Sequence, residues 1–221
     1  MSPGSDQSRV IEIDWRDPVA VAAVRGREDG ALALLSDGER GRWSYVARAP
    51  AAVEAIEADD PRDPFDLFAA MAGPAAPRDP DGPPFQGGAV ALFAYEAGAR
   101  TEPVRLARDP DQPDAVILRY DRLLAFDHHH KRAWSIGGET APDEAATTAE
   151  GVLATAFAPE ADPALYEAGV AEVVARVGQG EIFQANLARG WRGRLRADAD
   201  PLDVFLRLAR VSPAPFSAFL R

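Results

Sequence analysis

The chain has 221 residues, 47% of them hydrophobic, with a formal net charge of −11, three histidines and no cysteine. Such a length suits one large domain or two small ones and can bury about 70–75% of the surface exposed by the unfolded chain, enough for a real core. The absence of cysteine excludes disulfides and thiolate chemistry and suits the cytoplasm. An acidic excess without a Lys/Arg cluster argues against nucleic acid and against an anionic membrane surface. No apolar run approaches the ~18 residues of a membrane helix, and the polar opening MSPGSDQSRV lacks the apolar core of a secretory signal.

Taken in chain order, Val10 to Trp15 alternates apolar and acidic residues as a half-buried strand does. Asp17-Pro18 then opens a helix over VAVAAVRG. Aspartate is a good N-cap, and proline at the first helical position gives up no hydrogen bond. The same pair recurs at Asp63-Pro64, Asp162-Pro163 and Asp200-Pro201, each before an apolar-periodic segment. Ala31 to Ser36 and Trp43 to Arg48 read as two strands around the polar turn DGERGR. The helix from Pro64 to Ala72 is expected to close on Gly73 in a left-handed conformation. The proline-rich PAAPRDPDGPP is a surface loop.

Gly87 to Gly98 reads as an apolar strand. RYDRLLAFD and KRAWSI, between Ala115 and Ile136, read as two more, with a turn at the histidines. Ala141 to Phe157 is expected to be an exposed helix with a linker after it, and Pro163 to Val177 an amphipathic helix. IFQANLARGW follows as a strand, then a helix over Pro201 to Arg210 and a last strand FSAFLR. Without a regular βαβ rhythm the fold class is α+β, with mixed or antiparallel sheets and flanking helices. We place an N-terminal domain at residues 1–160 and the beginning of a second domain at 161–221.

Few residues offer chemistry. His128, His129 and His130 are adjacent, so in a strand only His128 and His130 share a face. With no second cluster to complete a metal site, the triplet reads as an exposed hairpin tip. Gly87-Gly88 and Gly137-Gly138 lack the spacing of a phosphate loop and read as tight turns or points of close backbone approach. Ser44, Ser212 and Ser217 have no nucleophile-elbow context. Read from its residues alone, the chain is a cytoplasmic α+β domain without a demonstrable active site.

Four segments, in order, carry a resemblance. GGAVALFAYEAGAR resembles a glycine-led strand of the G-G-x-x-G-x-x-x-Y type. Tyr166 followed by GQGEIFQANLARGW resembles a helix followed by G-[DE]-I-F-Q-x-N-L-[SA]. SPAPFSAFLR is similar to N-P-[SA]-P-[YF]-x-[AF]-[YF]-L, with Ser212 where asparagine is usual, and YDRLLAFDHHHKRAWSI resembles D-R-x-x-x-F-D-H. Together they are similar to the component I subunits of anthranilate and aminodeoxychorismate synthases, which bind chorismate. APFSAFLR and the short opening EIDWRDP look nearer the aminodeoxychorismate branch.

The resemblance implies an enzyme that adds ammonia to chorismate to give 4-amino-4-deoxychorismate for p-aminobenzoate and folate. It also implies Mg²⁺ as cofactor and a glutamine amidotransferase as partner. The alternatives are anthranilate synthase component I, and a non-catalytic binding domain. The family's catalytic lysine, its metal-binding glutamates and the P-I-x-G-T and S-P-E-R-F motifs fall beyond Arg221, so no catalytic residue transfers and this stretch is expected to be inactive alone. One family site does fall inside it, a pocket for L-tryptophan. It transfers to Ser36, to Trp43, Ser44, Tyr45 and Val46, and to Pro215, Phe216 and Ser217. Hydroxyls and strand backbone would hold the amino-acid head while aromatic and proline surfaces cover the indole. The alternative is that Trp43 and Phe216 fill that space themselves.

Overall fold

The computed structural model describes residues 10–75, 77–143 and 151–221. The elements are β1 (Val10–Ile13), α1 (Pro18–Arg25), β2 (Leu32–Leu35), β3 (Trp43–Ala47), β4 (Ala52–Ile56), α2 (Pro64–Ala72), β5 (Gly88–Phe93), a 3₁₀ turn (Tyr95–Arg100), β6 (Ala115–Tyr120), β7 (Leu123–Asp127), β8 (Arg132–Ile136), β9 (Ala158–Pro159), α3 (Pro163–Gly178), β10 (Trp191–Arg192), α4 (Pro201–Val211) and β11 (Ser217–Leu220). All four Asp-Pro pairs start helices. The carboxylates of Asp17, Asp63, Asp162 and Asp200 each accept a hydrogen bond from an amide of the first turn that the helix itself leaves unpaired. Gly73 ends α2 with φ +68° as expected, but with an extended ψ of −174° rather than a left-handed one.

The chain divides into two compact units, residues 1–148 with 205–221, and residues 149–204. The first is built in four layers. Six antiparallel strands in the order β1-β8-β7-β3-β2-β11 form one sheet, and β4-β6-β5 form a second. The sheets pack face to face through Leu32, Ala47, Leu118, Tyr120, Leu123, Ala125, Trp134 and Ile136. Helix α1 lies on the far side of the large sheet, against β2 and β3. Leu67, Phe68 and Met71 of α2 cover Ile56, Ala115 and Ile117 on the far side of the small one. The α+β class with antiparallel sheets and flanking helices holds.

Strand β7 shows why the large sheet is the centre. It is flanked by β3 and β8 and covered on both faces, and all five residues of LLAFD are buried. Each of Leu123, Leu124 and Phe126 is fully buried, which stabilises the fold by roughly 1.5–3 kcal/mol per side chain.

Several expectations are corrected. RYDRLLAFD is two strands, because the chain passes at Asp121-Arg122 from the small sheet (β6) to the large one (β7). The GGAVALFAYEAG strand ends at Phe93, and a 3₁₀ turn follows, held by Arg100 against Asp114 and the carbonyls of Glu57 and Asp60. Strand β4 was not anticipated. The helix expected over 141–157 falls partly on residues 144–150, outside the described residues, and 151–157 carry no helix.

In the second unit, α3 forms where expected, yet Leu165 and Val174 on it are exposed. Of IFQANLARGW only Trp191 lies in a strand, as the first residue of β10, which pairs with β9. The segment's alternation is real, but a strand exists only when a neighbour takes its amides, and Phe183 is 94% exposed. No helix among the described residues is long and apolar enough to cross a membrane.

Candidate functional site

The turn between β2 and β3 is fixed by its own polar groups. The Asp37 carboxylate accepts from the amides of Glu39, Arg40 and Gly41 at 3.1, 2.9 and 3.0 Å and from Arg40 Nε at 3.0 Å. These bonds, that from Gly41 foremost, pull its pKa down to about 2. The Ser36 hydroxyl accepts from the Gly38 amide at 3.3 Å, and the Ser36 amide donates to Ser44 Oγ at 2.9 Å. Gly41 is buried where a side chain cannot go, since an added Cβ would run into Ser36 Oγ and the Pro215 carbonyl oxygen. Ser36, Gly41 and Pro215 thus meet at one corner.

Strand alternation then divides the remaining candidates. Trp43 and Tyr45 point toward the small sheet. Their rings stack at 6.4 Å, Trp43 packs on Trp134 at 5.6 Å, and Tyr45 meets the edge of Phe85 at 5.6 Å. Burial pushes the Tyr45 phenol up to about 12, against a backbone hydrogen bond from Phe85 that works the other way. Ser44 and Val46 point to the α1 side and are buried. Ser217 pairs with Leu35 and shares that side. Pro215 is half-buried at the corner, and Phe216 is 89% exposed. Of the eight residues, Ser36 and Pro215 come together, Trp43 and Tyr45 lie on one face of the sheet, and Ser44, Val46 and Ser217 lie on the other.

Three contributors were not anticipated from the sequence: Gly41, Phe85 and His128. His128 Nε2 lies 2.7 Å from Ser44 Oγ, and its ring meets the edge of Trp15 at 5.6 Å. His129 and His130 are exposed, as expected of a hairpin tip, but His128 is half-buried. Beside it Asp127, only 1% exposed, accepts from Arg42 Nε (3.0 Å) and Nη2 (2.7 Å), from the His129 amide (3.0 Å) and from His130 Nδ1 (2.8 Å). Burial opposes its ionisation, but the Arg42 and His130 bonds outweigh burial and hold the carboxyl well below its ordinary range.

The Ser44 hydroxyl is wholly enclosed and out of a substrate's reach. Among the described residues no three His, Asp or Glu side chains gather as an ion's ligands. A separate open cleft of about 1150 Å³ runs between β1, α1 and residues 138–143, lined in part by Ile13, Arg16, Arg25 and Ser135.

Similarity to known proteins gives these features a setting. Aminodeoxychorismate synthase component 1 of Salmonella typhimurium is 35% identical over 148 residues, covering 62% of this chain and 32% of that protein. The Klebsiella aerogenes protein of the same name is 32% identical over 153 residues, with the same coverage. Anthranilate synthase component 1 1 of Haloarcula marismortui is 27% identical over 244 residues, 95% of this chain and 49% of that one. In fold, the chain is similar to anthranilate synthase component I from Streptococcus pneumoniae TIGR4, with a TM-score of 0.59 at 20% identity over 78% of this chain and 46% of that one. The chain spans between about a third and a half of the length of these relatives. Residues 30–221 match the model of the chorismate-binding enzymes, and with that match over most of its length the chain belongs to the chorismate-binding enzyme family.

Proposed function

We propose that this chain is the N-terminal part of an aminodeoxychorismate synthase component I. The observation that carries the reading is the family match over residues 30–221 together with the identities. The aminodeoxychorismate synthases compared are 30–35% identical to this chain and the anthranilate synthases 27–29%. The whole cytoplasmic enzyme would add ammonia, delivered by a glutamine amidotransferase partner, to chorismate. Mg²⁺ would polarise the substrate in a part of the polypeptide other than this one. These 221 residues contribute a scaffold and a small-molecule pocket and do not catalyse the reaction by themselves.

The pocket is proposed for L-tryptophan. The Ser36 corner would hold the amino-acid head, and Trp43, Tyr45, Pro215 and Phe216 would offer apolar surface. Ser44, Val46 and Ser217 would act from behind, through the strands that carry them. Calorimetric titration with L-tryptophan tests this. Ser36→Ala should weaken binding by about 0.5–1.5 kcal/mol, the worth of one neutral hydrogen bond. An absence of heat with the native chain, or an unchanged affinity in the variant, rejects the assignment.

Anthranilate synthase component I is the second reading. It is favoured by the Haloarcula alignment, which runs over 95% of the chain where the aminodeoxychorismate alignments cover 62%. The product formed from chorismate and ammonia by the complete polypeptide separates the two. Aminodeoxychorismate supports the first reading, and anthranilate supports the second.

A further inference from the structure

His128 has no place in the reading above, and its geometry gives it one. Ser44 Oγ accepts the Ser36 amide at 2.9 Å and stands 2.7 Å from His128 Nε2, so a single buried hydroxyl joins the imidazole to the corner where Ser36, Gly41 and Pro215 meet. We propose that His128 is a positioning residue for the Ser36 corner, acting through the Ser44 hydroxyl, so that the proton His128 carries sets how firmly the corner holds an amino-acid ligand. The proposal rests on the tryptophan-pocket reading for its consequence, though not for the relay itself.

The argument is one of donors and acceptors. With Nε2 unprotonated, the Ser44 hydroxyl donates to it and still accepts from Ser36, and both ends of the hydroxyl are used. With the imidazolium, Nε2–H donates to Ser44 Oγ. That oxygen then accepts twice, its own proton must find a new acceptor in a fully buried site, and the Ser36 amide competes with a cation for the oxygen. Burial accordingly holds the His128 pKa below 6.5. Lys131 and His129 of the hairpin act in the same direction, and Asp17 at the N-cap of α1 and the neighbouring Asp127 act against it. The acid form loosens the corner, and the change falls on the acid side of 6.5.

The test follows the His128 ring and the Ser36 amide by NMR between pH 8 and 5, with L-tryptophan calorimetry over the same range. The relay predicts that the Ser36 amide shifts with the midpoint of His128, and that the shift vanishes in Ser44→Ala and in His128→Gln. Glutamine keeps a hydrogen-bonding group but does not titrate, so it serves even if the alanine variant fails to fold. The dissociation constant for L-tryptophan should rise about three- to tenfold toward pH 5 in the native chain, as loss of one neutral hydrogen bond would give, and stay flat in His128→Gln. A Ser36 amide that ignores the His128 titration overturns the proposal. So does an affinity that is pH-independent while the amide moves, because the relay would then be idle. A moving amide with no tryptophan heat at any pH upholds the relay and removes the pocket reading instead.

Discussion

Replacing Asp127 by asparagine tests the organisation of the central sheet, because the change keeps the shape of the side chain while removing its charge and turning one accepting oxygen into a donor that faces other donors. Asp127 ends β7 almost fully enclosed, with an Arg42 fork on both oxygens and the His129 amide and His130 Nδ1 on the same carboxylate. Breaking a fully buried ion pair costs about 3–5 kcal/mol, whereas exposed pairs are worth about 0–1. Arg42 is 43% exposed, so its guanidinium can rehydrate, and the loss should lie near 2–3 kcal/mol. Urea unfolding read by tryptophan fluorescence reports it, since Trp43 and Trp134 sit in this sheet. With a slope of about 2 kcal/mol/M the midpoint should fall by about 1–1.5 M.

The pH dependence has a definite sign. The native carboxyl ionises below its unfolded value, so its contribution is complete above about pH 4 and fades as the pH drops through the native pKa. The difference between native and variant chains should shrink over that interval. A midpoint within about 0.3 M of the native one, at unchanged slope, would refute the reasoning. Asp198→Asn, at the exposed pair with Arg196, serves as a comparison and should move the midpoint little.

Gly137→Ala should destabilise the fold by about 1–3 kcal/mol in the same urea assay, because φ is +62° and the new Cβ would overlap the Asp121 carbonyl oxygen. Tyr120→Phe removes the hydroxyl that donates to the Gly30 carbonyl at 2.8 Å between the two sheets, and should cost about 0.5–1.5 kcal/mol. In the native chain burial pushes both Tyr45 and Tyr120 up to about 12, so absorbance titration should show two phenols ionising only near that pH, above the roughly 10 of an unperturbed tyrosine.

What the sequence disclosed and what it withheld divide along physical lines. The four Asp-Pro helix starts were legible because capping is local, with the carboxylate and the amides it serves two or three residues apart. The β2–turn–β3 unit was legible for a similar reason. β4 and the division of RYDRLLAFD were not, because they depend on which sheet a segment joins, and the chain changes sheets at Asp121-Arg122. Alternation in IFQANLARGW promised a strand that needs a neighbour before it can form. At the corner, Ser36 and Pro215 were named from motifs 179 positions apart and do meet. Gly41 and His128 were missed, although DGERGR held a glycine whose value lay in having no side chain. The histidine triplet was legible as a hairpin tip. It gave no sign that its first member turns inward to Ser44, because that depends on the register between β3 and β7.

The most direct measurement of the central claim is chorismate turnover by these 221 residues. Purified chain, incubated with chorismate, ammonium and Mg²⁺ and followed by chromatography, should leave chorismate unchanged, because under the proposed function these residues supply a scaffold and a ligand pocket and not the catalytic groups. Formation of aminodeoxychorismate or anthranilate by this chain alone would contradict the account, since it would place a catalytic centre where we assign only a scaffold and a ligand pocket.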